Sequence, residues 1–272
     1  MYRKNETVTD VVTKDDLIDV FHKLGIGPGS ILEVHSSLSS LGFVVGGAQT
    51  VVDALMETVT EAGTLLMPVQ TGGNTDPSGW ENPPLRPSLW DAVRESMPAA
   101  DPRVSDLREM GAVVENFRHR EGVMFSSHPC EAYAAWGRYA ELLCNRQSLH
   151  FPLAEESPAA RLYELKGDVL MIGTGLDTCT CLHLAEYRSD SRPIVICGSS
   201  VKDEAGGTVW KKYLDLEVNS SEFSALEPVL LKKGILRETV LNSCRISCFP
   251  AADAIDEAMK YFDRTAVFDL YR

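Results

Sequence analysis

The chain has 272 residues, 44% of them hydrophobic, and a formal net charge of −13. That length can bury a sizeable core, as one large domain or two close-knit halves, and nothing rich enough in linker residues separates them, so residues 1–272 read as a single domain. The acidic balance argues against a general nucleic-acid binder and fits either plain solubility or a cationic small substrate.

The seven cysteines are scattered. Cys179 and Cys181 stand too close together for a zinc clip, and no second pair accompanies them. The set reads as reduced thiols in a cytoplasmic protein without a metal centre. Residues 1–6 are polar with no apolar run behind them, which predicts no secretory signal, and no stretch is long enough to span a membrane.

Taken in order, Thr13 caps a first helix whose apolar face is Leu17, Ile18, Phe21 and Leu24, with Gly25 as its stop. A turn at Gly27 to Gly29 leads into a short strand from Ile31 to Val34. His35-Ser36-Ser37-Leu38 follows, and Gly46-Gly47 opens a helix from Ala48. Strand, small polar loop, paired glycines and helix form the layout of a phosphate cradle, because glycine lets backbone approach an anion and the first helical N–H groups point at it. The same layout also serves as a tight strand-to-helix connection.

A second strand runs from Thr64 to Val69. Residues 70–90 are polar and proline-rich. A connection that long is usually functional or disordered, and Trp80 and Trp90 favour an ordered loop near a site. A helix is predicted from Arg108 to Arg118, then a strand from Val123 into the turn at His128-Pro129. Such a histidine contacts a ligand or, more often, fixes the turn. Ser157-Pro158 starts the next helix, with Gly167 beyond its end. Val169 to Ile172 is a buried strand. Further on, Pro193 to Cys197 and Val209 to Leu214 read as an antiparallel pair. Phe223 to Lys233 is helical, Ile235 to Leu241 and Cys244 to Phe249 form a hairpin, and Ala251 to Phe262 is a closing helix.

The most informative stretch lies between these halves. After the strand ending at Ile172 and the Gly173-Thr174-Gly175 turn comes Asp177, then Thr180-Cys181-Leu182-His183-Leu184-Ala185-Glu186, with a helix expected from Thr180. His183 and Glu186 share one face of that helix. A histidine beside a carboxylate at a strand's carboxyl end suits a general base. The spacing alone also fits a solvated helix start.

Four stretches together, His35-Ser36-Ser37-Leu38 with Gly46-Gly47, Ser126-Ser127-His128-Pro129, Glu156-Ser157-Pro158 with Leu162-Tyr163, and Thr180 to Glu186, resemble the aminoglycoside 3-N-acetyltransferase family of antibiotic N-acetyltransferases. Arg108-Glu109-Met110-Gly111 adds to the likeness. The resemblance implies an α/β fold with a mixed central sheet flanked by helices, acetyl-coenzyme A as co-substrate, a small-molecule amine acceptor and no metal; a homodimer is allowed. It places coenzyme A at His35, Ser36, Ser37, Leu38, Gly46, Gly47 and Thr180.

The residues suit that chemistry. An amine attacking a thioester must lose a proton, and His183 is the base at hand, with Glu186 or another carboxylate fixing its tautomer. Glu156 and Asp177 are candidates for holding other ammonium groups of the acceptor, and both also fit plain helix-start and turn positions. Three other readings stand beside this one. One is acylation of a non-aminoglycoside amine in metabolism or natural-product assembly. Another is a coenzyme A-binding protein without catalysis. The last is a metal-dependent hydrolase using His35, His128, His183 and Glu186.

Overall fold

The computed structural model describes residues 8–107 and 110–264. Arg108 and Glu109 of the expected helix start, and the polar residues 1–6, lie outside the described residues. In chain order the elements are β1 (Val11–Val12), α1 (Lys14–Lys23), β2 (Ile31–Ser36), β3 (Phe43–Val44), α2 (Ala48–Val59), β4 (Thr64–Pro68), α3 (Trp90–Ser96), α4 (Gly111–Phe117), β5 (Met124–Phe125), β6 (Tyr133–Gly137), α5 (Ala140–Cys144), α6 (Pro158–Glu164), β7 (Asp168–Ile172), α7 (His183–Tyr187), β8 (Ile194–Lys202), β9 (Thr208–Leu216), α8 (Glu227–Lys232), β10 (Arg237–Leu241), β11 (Cys244–Pro250) and α9 (Ala251–Phe262).

Seven strands form one mixed sheet in the order β10-β11-β7-β2-β4-β6-β5. Its centre, β7-β2-β4, is parallel. The flanking pairs are antiparallel. Both faces of the centre are buried, which is why these strands read as near-continuous apolar runs. Leu32, Val34, Leu65, Met67, Leu170 and Ile172 point into one core with residues of α1, α2 and α4. Leu66, Val169 and Met171 point into a second core with residues of α5, α6, α7 and α9. The alternation on β2 therefore sends Glu33 and His35 toward the second, apolar layer, where both are buried.

Local signals explain the helix starts. Thr13 and Asp16 form a reciprocal capping box on α1. Ser157 Oγ accepts from Ala160 N–H, with Pro158 in the first turn of α6. Among the described residues, no helix is long and apolar enough to cross a membrane. The helix expected from Arg108 is described from Gly111. The one expected from Phe223 is a 3-10 segment, Ser220–Leu226, continued by α8.

The proline-rich connection after β4 is ordered by its own polar groups. Arg94 holds Asp76 at 2.8 and 3.1 Å. Asn74 Nδ2 donates to Ser200 O of β8 at 3.3 Å, and Trp80 Nε1 donates to Thr75 Oγ1 at 3.0 Å. The β8–β9 ribbon thus packs beside this loop rather than joining the main sheet.

Candidate active site

The carboxyl ends of β2, β4 and β7 open on a cleft of about 300 Å³. Its walls include His35 and Ser36 from β2, Pro68 at the end of β4 and Gln70 just beyond it, Thr174 and Asp177 after β7, and Thr180 and His183 before and in α7. This is where ligands bind in open α/β sheets, because neighbouring connections diverge there. Of the expected site residues, His35, Ser36, Thr180, Asp177 and His183 therefore meet on one cleft.

The turn that carries the dyad is built stepwise. β7 is followed by Gly173, whose φ of +66° suits glycine and whose missing Cβ would sit 2.3 Å from Ser40 Cβ. Two 3-10 turns follow, Leu176–Thr178 and Thr180–Leu182, and the α-helix begins only at His183. The expected helix from Thr180 is thus one tight turn later than its sequence pattern suggests.

His183 Nδ1 lies 2.5 Å from Glu186 Oε2. Glu186 is fully buried. Its other oxygen is held by Arg192 Nε and by Asn219 N–H at 3.0 Å. Burial opposes the carboxylate charge, but His183, Arg192 and the Asn219 amide outweigh it and hold Glu186 below its ordinary range. With Nδ1 donating to Glu186, Nε2 is the nitrogen left for the cleft. The ring leans on Phe223, centroids 4.8 Å apart, which fixes its tilt.

Two carboxyl groups not anticipated from the sequence stand close to this histidine. Glu131 is hydrogen-bonded by the cleft residue Gln70. Asp215 on β9 accepts from Tyr187 Oη at 2.5 Å. Burial, then the Asp215 charge, pushes Glu131 up to about 7, with the His183 charge acting in the other direction. Burial pushes Asp215 up to about 6, again against His183. Glu131 follows the His128-Pro129 turn, and Asp215 lies in the ribbon; only a tertiary contact joins them, so no sequence spacing reveals the pair.

Ser36 Oγ and Thr174 Oγ1 are buried cleft-wall hydroxyls without a hydrogen-bond partner. Unpaired buried hydroxyls at a cleft fit a ligand's oxygen. Ser37, Leu38, Gly46 and Gly47 lie outside the cleft lining, further along the connection to α2. Gly46 and Gly47 have φ of +82° and +62°, and Gly47 precedes α2 as a cap residue with no side chain to bond that helix's amides. Its first amides are free for an anion. Arg120 sits over that turn, with Nη2 3.2 Å from Gln49 O.

Glu156 is exposed just before α6 and is not part of the cleft lining. The inward position there belongs to the cap Ser157. His128 is structural: its Nδ1 accepts N–H groups of Cys130 and Glu131, and its Nε2 faces Leu149 O at 3.2 Å. Among the described residues no three His, Cys, Asp or Glu side chains are arranged to hold a metal ion. His35 and His183 instead pair with carboxylates.

The sequence model described as aminoglycoside 3-N-acetyltransferase matches residues 34–263. An SPbeta prophage-derived aminoglycoside N(3')-acetyltransferase-like protein, YokD, of Bacillus subtilis is 38% identical, over 94% of each chain. The crystal structure of YokD superposes with a TM-score of 0.91, at 37% identity over 94% of this chain and 95% of that one. Aminoglycoside N(3)-acetyltransferase VIII of Streptomyces fradiae is 31% identical, covering 93% of this chain and 92% of its own. A structure of AAC-IIIb in binary complex with CoASH gives a TM-score of 0.82 at 25% identity, over 95% of this chain and 99% of that one. The match spans the sheet, the cleft and the dyad alike, and the chain belongs to the aminoglycoside 3-N-acetyltransferase family, a family of acyltransferases.

Proposed function

We propose that the chain transfers the acetyl group of acetyl-coenzyme A to one amine of an aminoglycoside-type amino sugar, with His183 as general base. The observation that carries this reading is the His183–Glu186 dyad, whose free Nε2 faces a cleft walled by unpaired hydroxyls.

His183 Nε2 takes the proton of the attacking amine, and Glu186 holds the imidazole in the Nδ1–H tautomer and stabilises the imidazolium that forms. Ser36 and Thr174 hydroxyls donate toward the oxygen on which charge develops. Asp177, Glu131 and Asp215 supply negative charge for the acceptor's other ammonium groups. The coenzyme A complex of AAC-IIIb supports the donor. On this chain the α2 amides beside Arg120 suit its pyrophosphate, and acetyl-coenzyme A supplies the activated thioester. The free cysteines suit a reducing cytoplasm.

The test is thiol release from acetyl-coenzyme A with a panel of 2-deoxystreptamine antibiotics. Release with several of them, with one acetylated amine per product, supports the reading. Release only with a neutral or anionic amine would sink the aminoglycoside acceptor and make the chain a biosynthetic N-acyltransferase.

A further inference from the structure

Beneath the cleft floor lies a buried polar cluster whose two thiols the proposed acyl transfer does not use. Glu33 and His35 reach it from β2, and Cys179 and Cys181 from the turn before α7. The two sulfurs are 3.6 Å apart, and both side chains are buried. Glu33 Oε1 lies 2.8 Å from His35 Nε2 and accepts Cys181 N–H at 3.2 Å. Thr180 N–H points at His35 Nε2 from 3.4 Å. Glu33 Oε2 and Tyr133 Oη, both wholly buried, have no partner. A network with unpaired members is not the cheapest way to fill a core, since apolar side chains would avoid the desolvation cost.

The cluster has the parts of a reactive dithiol. Burial opposes charge on Cys179, but the Cys181 thiol and His35 outweigh it and hold the thiol below its ordinary value. His35 goes the other way: burial opposes its charge, yet Cys179 and Glu33 raise it to about 10. Burial, followed by Cys179, pushes Cys181 well above its ordinary value. Cys179 supplies the attacking thiolate and Cys181, a thiol in contact with it, resolves; both are buried, so peroxide reaches them through local opening of the turn before α7.

We propose that Cys179 and Cys181 form an oxidation site for hydroperoxides, and that the disulfide formed there closes the acyl-transfer cleft reversibly. The Cys179 thiolate attacks one peroxide oxygen and the O–O bond breaks. The departing hydroxide takes a proton from the His35 imidazolium and leaves as water, giving a sulfenic acid. Cys181 Sγ then displaces the sulfenic hydroxyl, which departs as a second water with the Cys181 proton. The two sulfurs lose two electrons, and the peroxide gains them.

The consequence for the cleft follows from position. A disulfide is about 2.05 Å long, so the sulfurs must close by roughly 1.5 Å. Thr180, which lines the cleft, lies between them, and the Cys181 amide is held by Glu33. His183 follows two residues after Cys181. Drawing the sulfurs together distorts the turn that places all three.

The test exposes the purified full-length protein to stepwise hydrogen peroxide, alkylates the remaining thiols and maps the peptides by mass spectrometry. Acetyl transfer, whose use as a readout rests on the proposed function, is followed in parallel. The expected result is a Cys179–Cys181 bridge, a fall in transfer of at least tenfold, recovery in dithiothreitol, and slower bridging with acetyl-coenzyme A bound. Cys179→Ser and Cys181→Ser should each keep most of their own untreated activity under the same exposure. Should either variant fail to fold, the wild-type map decides alone. Both thiols still alkylatable after activity is lost, a bridge formed at full activity, or equal peroxide sensitivity in a folded Cys181→Ser overturns the proposal. The thiol map reads independently of the acceptor, so failure of the acceptor assignment leaves it standing.

Discussion

Glu186 holds Nδ1 of His183 from one turn along the same short helix, at 2.5 Å, while Arg192 and the Asn219 amide hold its other oxygen. The carboxylate therefore has two jobs, and the two residues of the dyad should fail differently. His183→Ala removes the base but leaves Glu186 paired. Its turnover should drop by a factor on the order of 10²–10⁴ with an unchanged melting temperature. Glu186→Gln also takes one of its two carboxylates from Arg192, with Glu222 remaining at 3.0 Å, so it should lose turnover and about 1 to 3 kcal/mol of stability. Thermal melts beside steady-state rates separate the two. Activity of His183→Ala within a few-fold of wild type would remove His183 from the mechanism.

The unpaired hydroxyls invite the opposite experiment. Ser36 Oγ and Thr174 Oγ1 gain nothing from a protein partner, so their removal takes no folded-state hydrogen bond away. Ser36→Ala and Thr174→Val should leave stability unchanged to within about 0.5 kcal/mol. If each donates to the developing oxyanion, each should still lower turnover on the order of 10²-fold. Lost stability with unchanged turnover would mark them as structural.

If Glu131 and Asp215 hold the acceptor's ammonium groups, as proposed, acceptor binding is sensitive to pH. A raised carboxyl is neutral below its value and must ionise before it can hold an ammonium group. With Glu131 at about 7 and Asp215 at about 6, acceptor KM should fall as pH rises and level off once both are ionised. Glu131→Gln should flatten the upper part of that curve and raise KM where the wild type is ionised. Glu156→Gln, exposed and off the cleft, is the comparison and should leave the curve alone. Parallel KM–pH curves for wild type and Glu131→Gln would exclude Glu131 from the acceptor site.

How much of this was legible in the sequence depends on whether the signal is local. The dyad was, because His183 and Glu186 are three apart on one helix. So were β2, β4 and β7, since strands buried on both faces are apolar throughout, and α1 and α6, which carry their caps beside them. β6 was missed although Ala132 to Trp136 is apolar, because small alanines carry weak strand preference. β8 extends past Cys197 through Gly198-Ser199-Ser200, polar residues kept in the strand by tertiary bonds such as Ser200 Oγ to Met97 O at 2.8 Å. The long loop after β4 was read as ordered and near the site. Arg94 and Asp76 account for the order, and only its beginning, at Gln70, lines the cleft. Glu131 and Asp215 could not be found, since a sheet edge and a distant ribbon bring them together.

His128 supplies the remaining test, on stability rather than turnover. Its Nδ1 accepts two backbone N–H groups, from Cys130 at 3.2 Å and Glu131 at 2.8 Å, so the folded state needs the neutral ring. Burial pushes its pKa down to about 4 from an ordinary value of 6.5. A depressed folded value means that the unfolded chain binds the proton first. The contribution of His128 is therefore complete above pH 6.5 and is lost as pH falls toward 4, a span worth about 3 kcal/mol. Glu131 and Asp215, raised on folding, slope the other way in overlapping ranges, so the wild-type curve alone hides the effect. The difference between wild type and His128→Asn isolates it, because the Asn amide oxygen can take the two N–H groups without titrating. Denaturant melts from pH 7 to pH 4 should show the wild type losing stability relative to His128→Asn as the pH falls. His128→Ala, which leaves both N–H groups unpaired, should cost about 2 to 4 kcal/mol even at neutral pH. A wild-type minus His128→Asn difference that stays flat across the window would mean that the buried ring does not titrate between the two states, and that His128 fixes the turn by shape alone.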